Sequence, residues 1–364
     1  MKFEEKYRKE ASGLIQPLKA DSFTAWRSPS NIALIKYWGK RENQIPQNPS
    51  LSFTLDKSFT QTSLEYRYRG NKGIRVEFTF ENQTNPAFET RIKSFLKTAS
   101  EFMPFLNQFD LKIESCNSFP HSSGIASSAS AFSALALCLV SMQQKLFGTP
   151  VDDKSFYEKA SFLARLGSGS AARSVYGGFV VWGKHKSIRE SSDEAAIKLN
   201  STINNSFLTL RDAILITSTK KKKVSSSAGH HLMTGHPYAA QRYKQAGINL
   251  DKMMDALLCG DEESFINITE NEALSLHAMM MTSAEGFTLL NENTWNIINR
   301  IRQFRLDNKI FITFTLDAGP NVHLIYSDRD KKQIAGFIHD ELLGFCEEDR
   351  WIDDKAGGGP VKIS

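Results

Sequence analysis

Residues 119–131 read FPHSSGIASSASA, a run of small residues between a strand-like segment and one of helical periodicity. Such a run favours a tight strand-to-helix junction, because small side chains leave backbone N–H groups open to close approach by a phosphate. The helix N-terminus adds a dipole that attracts an anion. The spacing is neither GxxxxGK[ST] nor GxGxxG, so neither a Walker A loop nor a dinucleotide fingerprint is present. A Ser/Ala-rich helix start packed closely against a sheet would use the same residues.

The pattern on either side of this junction predicts the architecture. Runs rich in β-branched and aromatic residues predict strands at Ile32 to Tyr37, Leu51 to Leu55, Thr60 to Tyr68, Ile74 to Phe80 and Leu111 to Ser115, in a mostly antiparallel sheet. From Gly124 the period turns helical through Ala129, Phe132, Ala136, Leu139 and Val140, and a second helix runs through Phe156, Ala160, Phe162 and Leu163. A strand at Gly178 to Trp182 and a polar stretch from Ser187 to Asn205 lead into the second half. There, strands are predicted at Ala213 to Ser218, Ile310 to Leu316 and Val322 to Tyr326, with helices around 237–256, 260–280 and 292–305. Strands mixed with helices, without strict alternation, indicate an α+β fold of mixed and antiparallel sheets covered by helices. A length of 364 residues suits two domains. We place the boundary near 205, with an N-terminal phosphate-loop domain over 1–205 and a C-terminal domain over 206–364.

Composition narrows the partners. Lys and Arg number 45 against 40 Asp and Glu, and the formal charge of +5 is too mild for a nucleic-acid binder. It leaves room for anionic small molecules. Cys116, Cys138, Cys259 and Cys346 form no CxxC pair and read as free thiols in a reducing compartment. The first twenty residues carry charges of both signs without the apolar stretch of a signal peptide. The most apolar segment, Ala126 to Met142, is interrupted by five serines and is too short to span a bilayer. A cytoplasmic protein without a membrane segment is expected. His230 and His231 are adjacent, about 100° apart on a helix, and no HExxH occurs, so no protein-ligated transition metal is expected.

Four further segments carry residue types suited to chemistry. In ARLGSGSAARSVYGG at 164–178, serine hydroxyls, backbone amides and the flanking Arg165 and Arg173 suit a carboxylate or phosphate. A Gly/Ser loop ended by a solvated arginine has the same composition. In SNIALIKYWGK at 30–40, strand alternation puts Lys36, Trp38 and Lys40 on one side and Tyr37 on the other, unless Gly39 bends the chain. Lysines there also serve simply as edge-strand solubilisers. In LDAGPN at 316–321, an Asp at a strand end is a general-base candidate or a turn former. In KKKKVSSSAG at 220–229, four lysines before three serines form a solvated turn that could also attract an anion.

In their order and spacing these five segments resemble those of diphosphomevalonate decarboxylases. That family belongs to the small-molecule kinase superfamily of galactokinase, homoserine kinase and mevalonate kinase. The resemblance runs from Ser28 to the AGGGP at 356–360. It rests on NIALIKYWGK, FPxxxGIASSASA, ARxGSGSAxRSxYGGF and DAGPN, and the YWGK and SGSAxR combination looks like the decarboxylase branch. It implies two α+β domains with the active site in the cleft between them, ATP as co-substrate, Mg²⁺, and a homodimer. The implied reaction is the ATP-dependent decarboxylation of 5-diphosphomevalonate to isopentenyl diphosphate in isoprenoid biosynthesis. The alternatives are a phosphomevalonate decarboxylase or a superfamily kinase that stops after phosphorylation.

Carried across by position, the resemblance makes Asp317 the catalytic acid/base, with Lys36 offsetting charge and Arg173 aligning the substrate carboxylate. Tyr37, Trp38, Gly39 and Lys40, with Ser168, Gly169, Ser170, Ala171, Ala172 and Arg173, correspond to the substrate-binding segments. Ser226 and Ser227 align with the pair that holds the diphosphate. Ser122, Ser123, Gly124, Ala126, Ser127 and Ser128 correspond to the ATP phosphate loop, with Ser127 toward the ATP-bound Mg²⁺. The chain departs from the family pattern in three places. Asn48-Pro49-Ser50 stands for Asn-Asp-Ser or Asn-Ser-Ser, Ser227 for Thr or Arg, and His230 for a usual Met.

Overall fold

The computed structural model describes residues 2–120, 125–148, 152–199, 203–220 and 226–364, the side chains of 226 and 227 excepted. Twelve strands occur among these residues: β1 (Ser22–Ile35), β2 (Ser50–Tyr68), β3 (Arg75–Phe80), β4 (Gln83–Thr84), β5 (Phe109–Asn117), β6 (Phe179–Trp182), β7 (Ile197–Lys198), β8 (Leu210–Leu215), β9 (Ile312–Leu316), β10 (Val322–Ser327), β11 (Trp351–Lys355) and β12 (Val361–Lys362). The α-helices are α1 (Phe3–Ala11), α2 (Pro86–Ala99), α3 (Ser127–Phe147), α4 (Asp153–Gly167), α5 (Ala171–Ser174), α6 (Asn205–Leu208), α7 (Ser226–His231), α8 (Ala239–Cys259), α9 (Glu262–Met281), α10 (Glu292–Asn308) and α11 (Lys331–Phe337).

The strands form two sheets. The first has the order β12-β1-β2-β5-β3-β4, with β6 added on β2 and β7 on β6. Its pairings are antiparallel except that of β3 with β5. The second has the order β11-β8-β10-β9 and is antiparallel throughout.

Two strands expected at 51–55 and 60–68 are one strand, β2, and the gap between them is a bulge. Thr54 pairs with Asn31 and Phe59 with Pro29, so β2 carries extra residues where β1 carries one. Pro29 has no N–H to give to the ladder. The bulge also turns the strand over. Before it, Leu51, Phe53 and Leu55 enter the core shared with α8 and the second sheet; after it, Leu64 and Tyr66 enter the core under α2, α3 and α4.

The backbone groups that the bulge frees are taken up from the second sheet. The wholly buried Asp354 of β11 accepts hydrogen bonds from the N–H groups of Asp56 (3.0 Å), Lys57 (2.8 Å) and Ser58 (2.8 Å). Asp354→Ala removes the acceptor and strands those donors. It should lower stability by at least about 2 kcal/mol, read as a reduced urea midpoint at unchanged slope.

The chain's last strand returns to the first sheet, where β12 pairs with β1 through Trp26 and Lys362. The approach requires glycine: a Cβ on Gly177 would stand 2.2 Å from the Gly359 nitrogen.

The site is positioned by the ends of two strands. One face of the second sheet packs on α10 and α11 through Ala213, Phe314 and Leu324. Its other face, with Ile214 and Ile325, shares a core with Ile32 and Leu34 of β1 and with Phe265 of α9. Thr315 Oγ1 donates to the Ala33 carbonyl at 3.4 Å, which brings the ends of β1 and β9 together. Lys36 follows the first and Asp317 the second. The strand expected to run to Tyr37 ends at Ile35, so simple alternation does not extend through Lys40. Gly39 lies at φ +92°, a bend that glycine adopts without strain.

Candidate active site

Lys36 and Asp317 meet across the junction of the two sheets, with Lys36 Nζ 3.3 Å from Asp317 Oδ1. The lysine side chain is 2% exposed and the carboxylate 25%. The pair therefore has one dry end and one partly exposed end, unlike a surface solubiliser. Burial pulls the Lys36 ammonium below the ordinary lysine range, and Asp317 opposes that pull. The backbone on both sides is held firmly. The Lys36 N–H donates to Glu272 Oε2 at 2.9 Å and its carbonyl accepts from Asn48 Nδ2 at 2.9 Å. Glu272 is itself fully buried and is satisfied by Arg242 and Asn249. His277 Nε2 lies 3.1 Å from the Asp317 carbonyl.

Arg173 lies on α5, 3% exposed. Its Nε donates to Asn31 Oδ1 (3.2 Å) and Ser52 Oγ (3.0 Å), and its Nη1 to Ser50 Oγ (2.7 Å). All three partners are neutral, and among the described residues it forms no ion pair. Burial pushes its basicity down to about 10, with Asp317 and Tyr37 opposing. A buried cation whose hydrogen-bond partners are all neutral, with Asp317 offsetting only part of the cost of burial, is poised for an anionic ligand.

The aromatic residues of the 30–40 segment wall this space. Tyr37 packs edge-on to Trp182 at 4.7 Å, and a Cβ on Gly169 would stand 2.8 Å from the Tyr37 hydroxyl. That hydroxyl is buried and has no partner among the described residues. Trp38 is 3% exposed and fills the space over Gly229, where a Cβ would stand 2.5 Å from its ring. Lys40 is partly buried, with Nζ 3.0 Å from Gln44 Oε1.

The Ser168 segment joins the two sites expected from the sequence. Ser168 Oγ lies 3.2 Å from Ser128 Oγ at the start of α3, and the Ser170 carbonyl accepts from Asn31 Nδ2 at 3.3 Å. Ala171 and Ala172 are wholly buried beneath it. Ser127 and Ser128 open α3, and the Ala126 carbonyl accepts the Ala129 N–H. Both serines line a half-open pocket, together with Phe78, Phe88, Arg91 and Asn117.

Of the residues expected from the sequence, Lys36, Tyr37 to Lys40, Ser168 to Arg173, Asp317 and the Ser127/Ser128 helix start thus converge. Ser122, Ser123, Gly124 and Lys221 to Lys223 lie outside the described residues. For Ser226 and Ser227 only the backbone, as the start of α7, is described. The sequence reading missed the groups that hold the site: Asn31, Ser50 and Ser52 around Arg173, Glu272 and Asn48 around Lys36, and the aromatic cavity beside Ser127. The Asn48-Pro49-Ser50 segment supplies two of them, at the positions it shares with the family pattern, and the departing Pro49 abuts Gly183, where a Cβ would lie 2.6 Å away.

Comparison with known proteins bears on this arrangement. The family model for the diphosphomevalonate decarboxylase-like N-terminal domain matches residues 28–196, and that for the mevalonate 5-diphosphate decarboxylase C-terminal domain matches residues 213–356. Diphosphomevalonate decarboxylase of Saccharomyces cerevisiae is 29% identical over 333 residues, covering 87% of this chain and 81% of the relative. That of Debaryomyces hansenii is 28% identical over 326 residues, covering 86% and 81%. The crystal structure of mevalonate diphosphate decarboxylase from Staphylococcus aureus has a TM-score of 0.79 at 28% identity, covering 95% of this chain and 99% of that one. The complex of MDDEF with MVAPP, AMPPCP and magnesium has a TM-score of 0.80 at 27% identity, covering 95% and 100%.

Proposed function

The chain belongs to the diphosphomevalonate decarboxylase family, and from that premise we propose that its cleft converts (R)-5-diphosphomevalonate and ATP into isopentenyl diphosphate, ADP, phosphate and CO₂. The observation that carries this reading is Arg173, a buried guanidinium with only neutral partners, set near the Lys36–Asp317 pair. Decarboxylation requires a carboxylate held in fixed alignment, which a guanidinium fastened by three hydrogen bonds is suited to provide.

A tertiary hydroxyl leaves poorly until it is phosphorylated. Asp317 orients that hydroxyl and takes its proton as the oxygen attacks the γ-phosphorus of ATP, and ADP departs with the pair of the broken P–O bond. Lys36 offsets the charge gathered at Asp317 and the phosphates. The C–O bond to phosphate then breaks, its electron pair leaving with phosphate. The C–C pair released as CO₂ departs closes the alkene. Arg173 aligns the carboxylate for that collapse; simple attraction would stabilise the group that must be lost.

Among the described residues no cluster of three or more His, Cys, Asp or Glu side chains could hold a metal on its own. Mg²⁺ is expected to arrive with the nucleotide, and Ser127 at the start of α3 would offer it a hydroxyl oxygen. When bound, it neutralises charge on the transferring phosphoryl group. The cavity of Phe78, Phe88, Arg91 and Asn117 beside α3 is apolar with a few polar groups, as a nucleotide base requires, and we assign the adenine to it. The same reading takes the enzyme as a cytoplasmic homodimer in the mevalonate pathway.

The substrate's phosphate count is tested by comparing kcat/KM for the mono- and diphosphate with saturating ATP and Mg²⁺. A preference of about tenfold or more for the diphosphate is expected from one added charge-assisted hydrogen bond. Equal values would assign the chain to the monophosphate reaction.

A further inference from the structure

His230 stands at the end of α7 and is 9% exposed. Its ring packs against Tyr37 (4.3 Å between centroids) and Trp38 (4.6 Å), two aromatic residues of the substrate segment. Its Nδ1 is 3.0 Å from the backbone nitrogen of Gly39. That contact fixes the tautomer. The Gly39 amide has only a proton to offer, so Nδ1 is the acceptor and the ring proton resides on Nε2. The charged and titratable groups around the ring are Lys40, Arg173 and the Tyr37 phenol.

Burial first, then Lys40 and Arg173, push the His230 imidazole down to about 3. It therefore stays neutral at physiological pH despite lying among anion-binding groups. A neutral imidazole with one edge tied to backbone keeps a single directed donor on the other edge. That edge belongs to a ring one helical turn beyond position 226, near Lys40, which heads the charges acting on it.

Resting on the function proposed above, we propose that His230 is a specificity-determining residue, whose Nε2–H donates to a phosphate oxygen of the substrate. The donor is held in register by the Gly39 N–H and delivers direction without charge, leaving the net charge of the site to Lys40 and Arg173. The wall formed by Tyr37 and Trp38 limits the ring's rotation, so the donor is positioned before the substrate arrives.

Two substitutions separate this role from a structural one. In His230→Asn the short amide can keep an acceptor at the Nδ1 position for Gly39 while the distal donor is lost. In His230→Gln the longer amide can restore a donor near Nε2 while the bond to Gly39 is lost. KM for diphosphomevalonate should rise about tenfold or more in the Asn variant, the size of a lost hydrogen bond to a charged acceptor, and recover in part in the Gln variant. KM for ATP should stay within about twofold in both, the scale of a few tenths of a kcal/mol. The reverse order, with Asn normal and Gln impaired, would overturn the proposal and leave His230 as a prop for Gly39. So would an equal rise in both KM values.

Nitrogen NMR of the wild type with labelled histidine gives a readout independent of turnover. The His230 Nε2 should carry a bonded proton, with Nδ1 unprotonated, from about pH 6 to about pH 8, and the Nε2–H signal should move when diphosphomevalonate is added. An imidazolium signal appearing over that range, or no movement on adding the substrate, would contradict the assignment. Wild-type enzyme that binds diphosphomevalonate at His230 without releasing CO₂ would instead count against the function proposed above, leaving the donor in place.

Discussion

Asp317→Asn should leave the fold and substrate binding intact and lower kcat by about 10² to 10⁴, the range for removing a positioned general base. The amide is close to isosteric with the carboxylate, and the Asp317 carbonyl keeps its contacts with His277 and Gly319. What changes is at the side chain: an amide does not take a proton from the tertiary hydroxyl, and Lys36 loses its nearest anion. The check is kcat together with the dissociation constant for diphosphomevalonate. Near-normal kcat would remove Asp317 from the role of base. A loss confined to binding would make it a substrate contact only.

Arg173→Lys should be nearly as damaging to turnover. Charge is retained, but the planar fork that bonds Asn31, Ser50 and Ser52 is lost, and an ammonium on a flexible stem has no equivalent set of fixed donors. Misplacement of a reacting group by about 1 Å can cost about 10² in rate, so a fall of that order in kcat is expected. ADP affinity should change little, because the proposed mechanism has Arg173 address the carboxylate end of the substrate. Collapse of nucleotide binding with decarboxylation of prebound substrate preserved would put Arg173 in the nucleotide site. The substitution also strands buried hydroxyls, so a lower urea midpoint is expected, and kinetics belong well below the melting range.

The residues proposed to react stand out in the sequence because each sits in a short segment of unusual composition: Lys36 before a Tyr-Trp-Gly run, Arg173 after Ser-Gly-Ser, and Asp317 at a strand end before Ala-Gly-Pro. The residues that hold them were not. Asn31, Ser50 and Ser52 are ordinary polar residues within strands, and only β1–β2 pairing beside α5 places them on one guanidinium. Glu272 lies 236 positions from Lys36 in the chain and carries no local mark of its contact with that backbone. The break in strand character at 56–59 was visible, but its meaning was not, since a bulge fed by Asp354 from the other sheet looks in sequence like a turn. The return of β12 to the first sheet depends on a close crossing of Gly177 and Gly359, again a contact of distant residues. Local composition marks candidate residues but not their supporting contacts, because support is chosen by the fold after it has closed.

The central claim is that one cleft couples phosphoryl transfer to loss of the carboxylate. Its most direct test is the product balance of a single incubation of the wild-type protein with diphosphomevalonate, ATP and Mg²⁺, with ADP, inorganic phosphate and CO₂ each quantified. Equal molar amounts of the three are predicted, since the phosphorylated intermediate collapses where it forms. ADP formed without matching phosphate and CO₂ would contradict the account and assign the chain to phosphorylation alone.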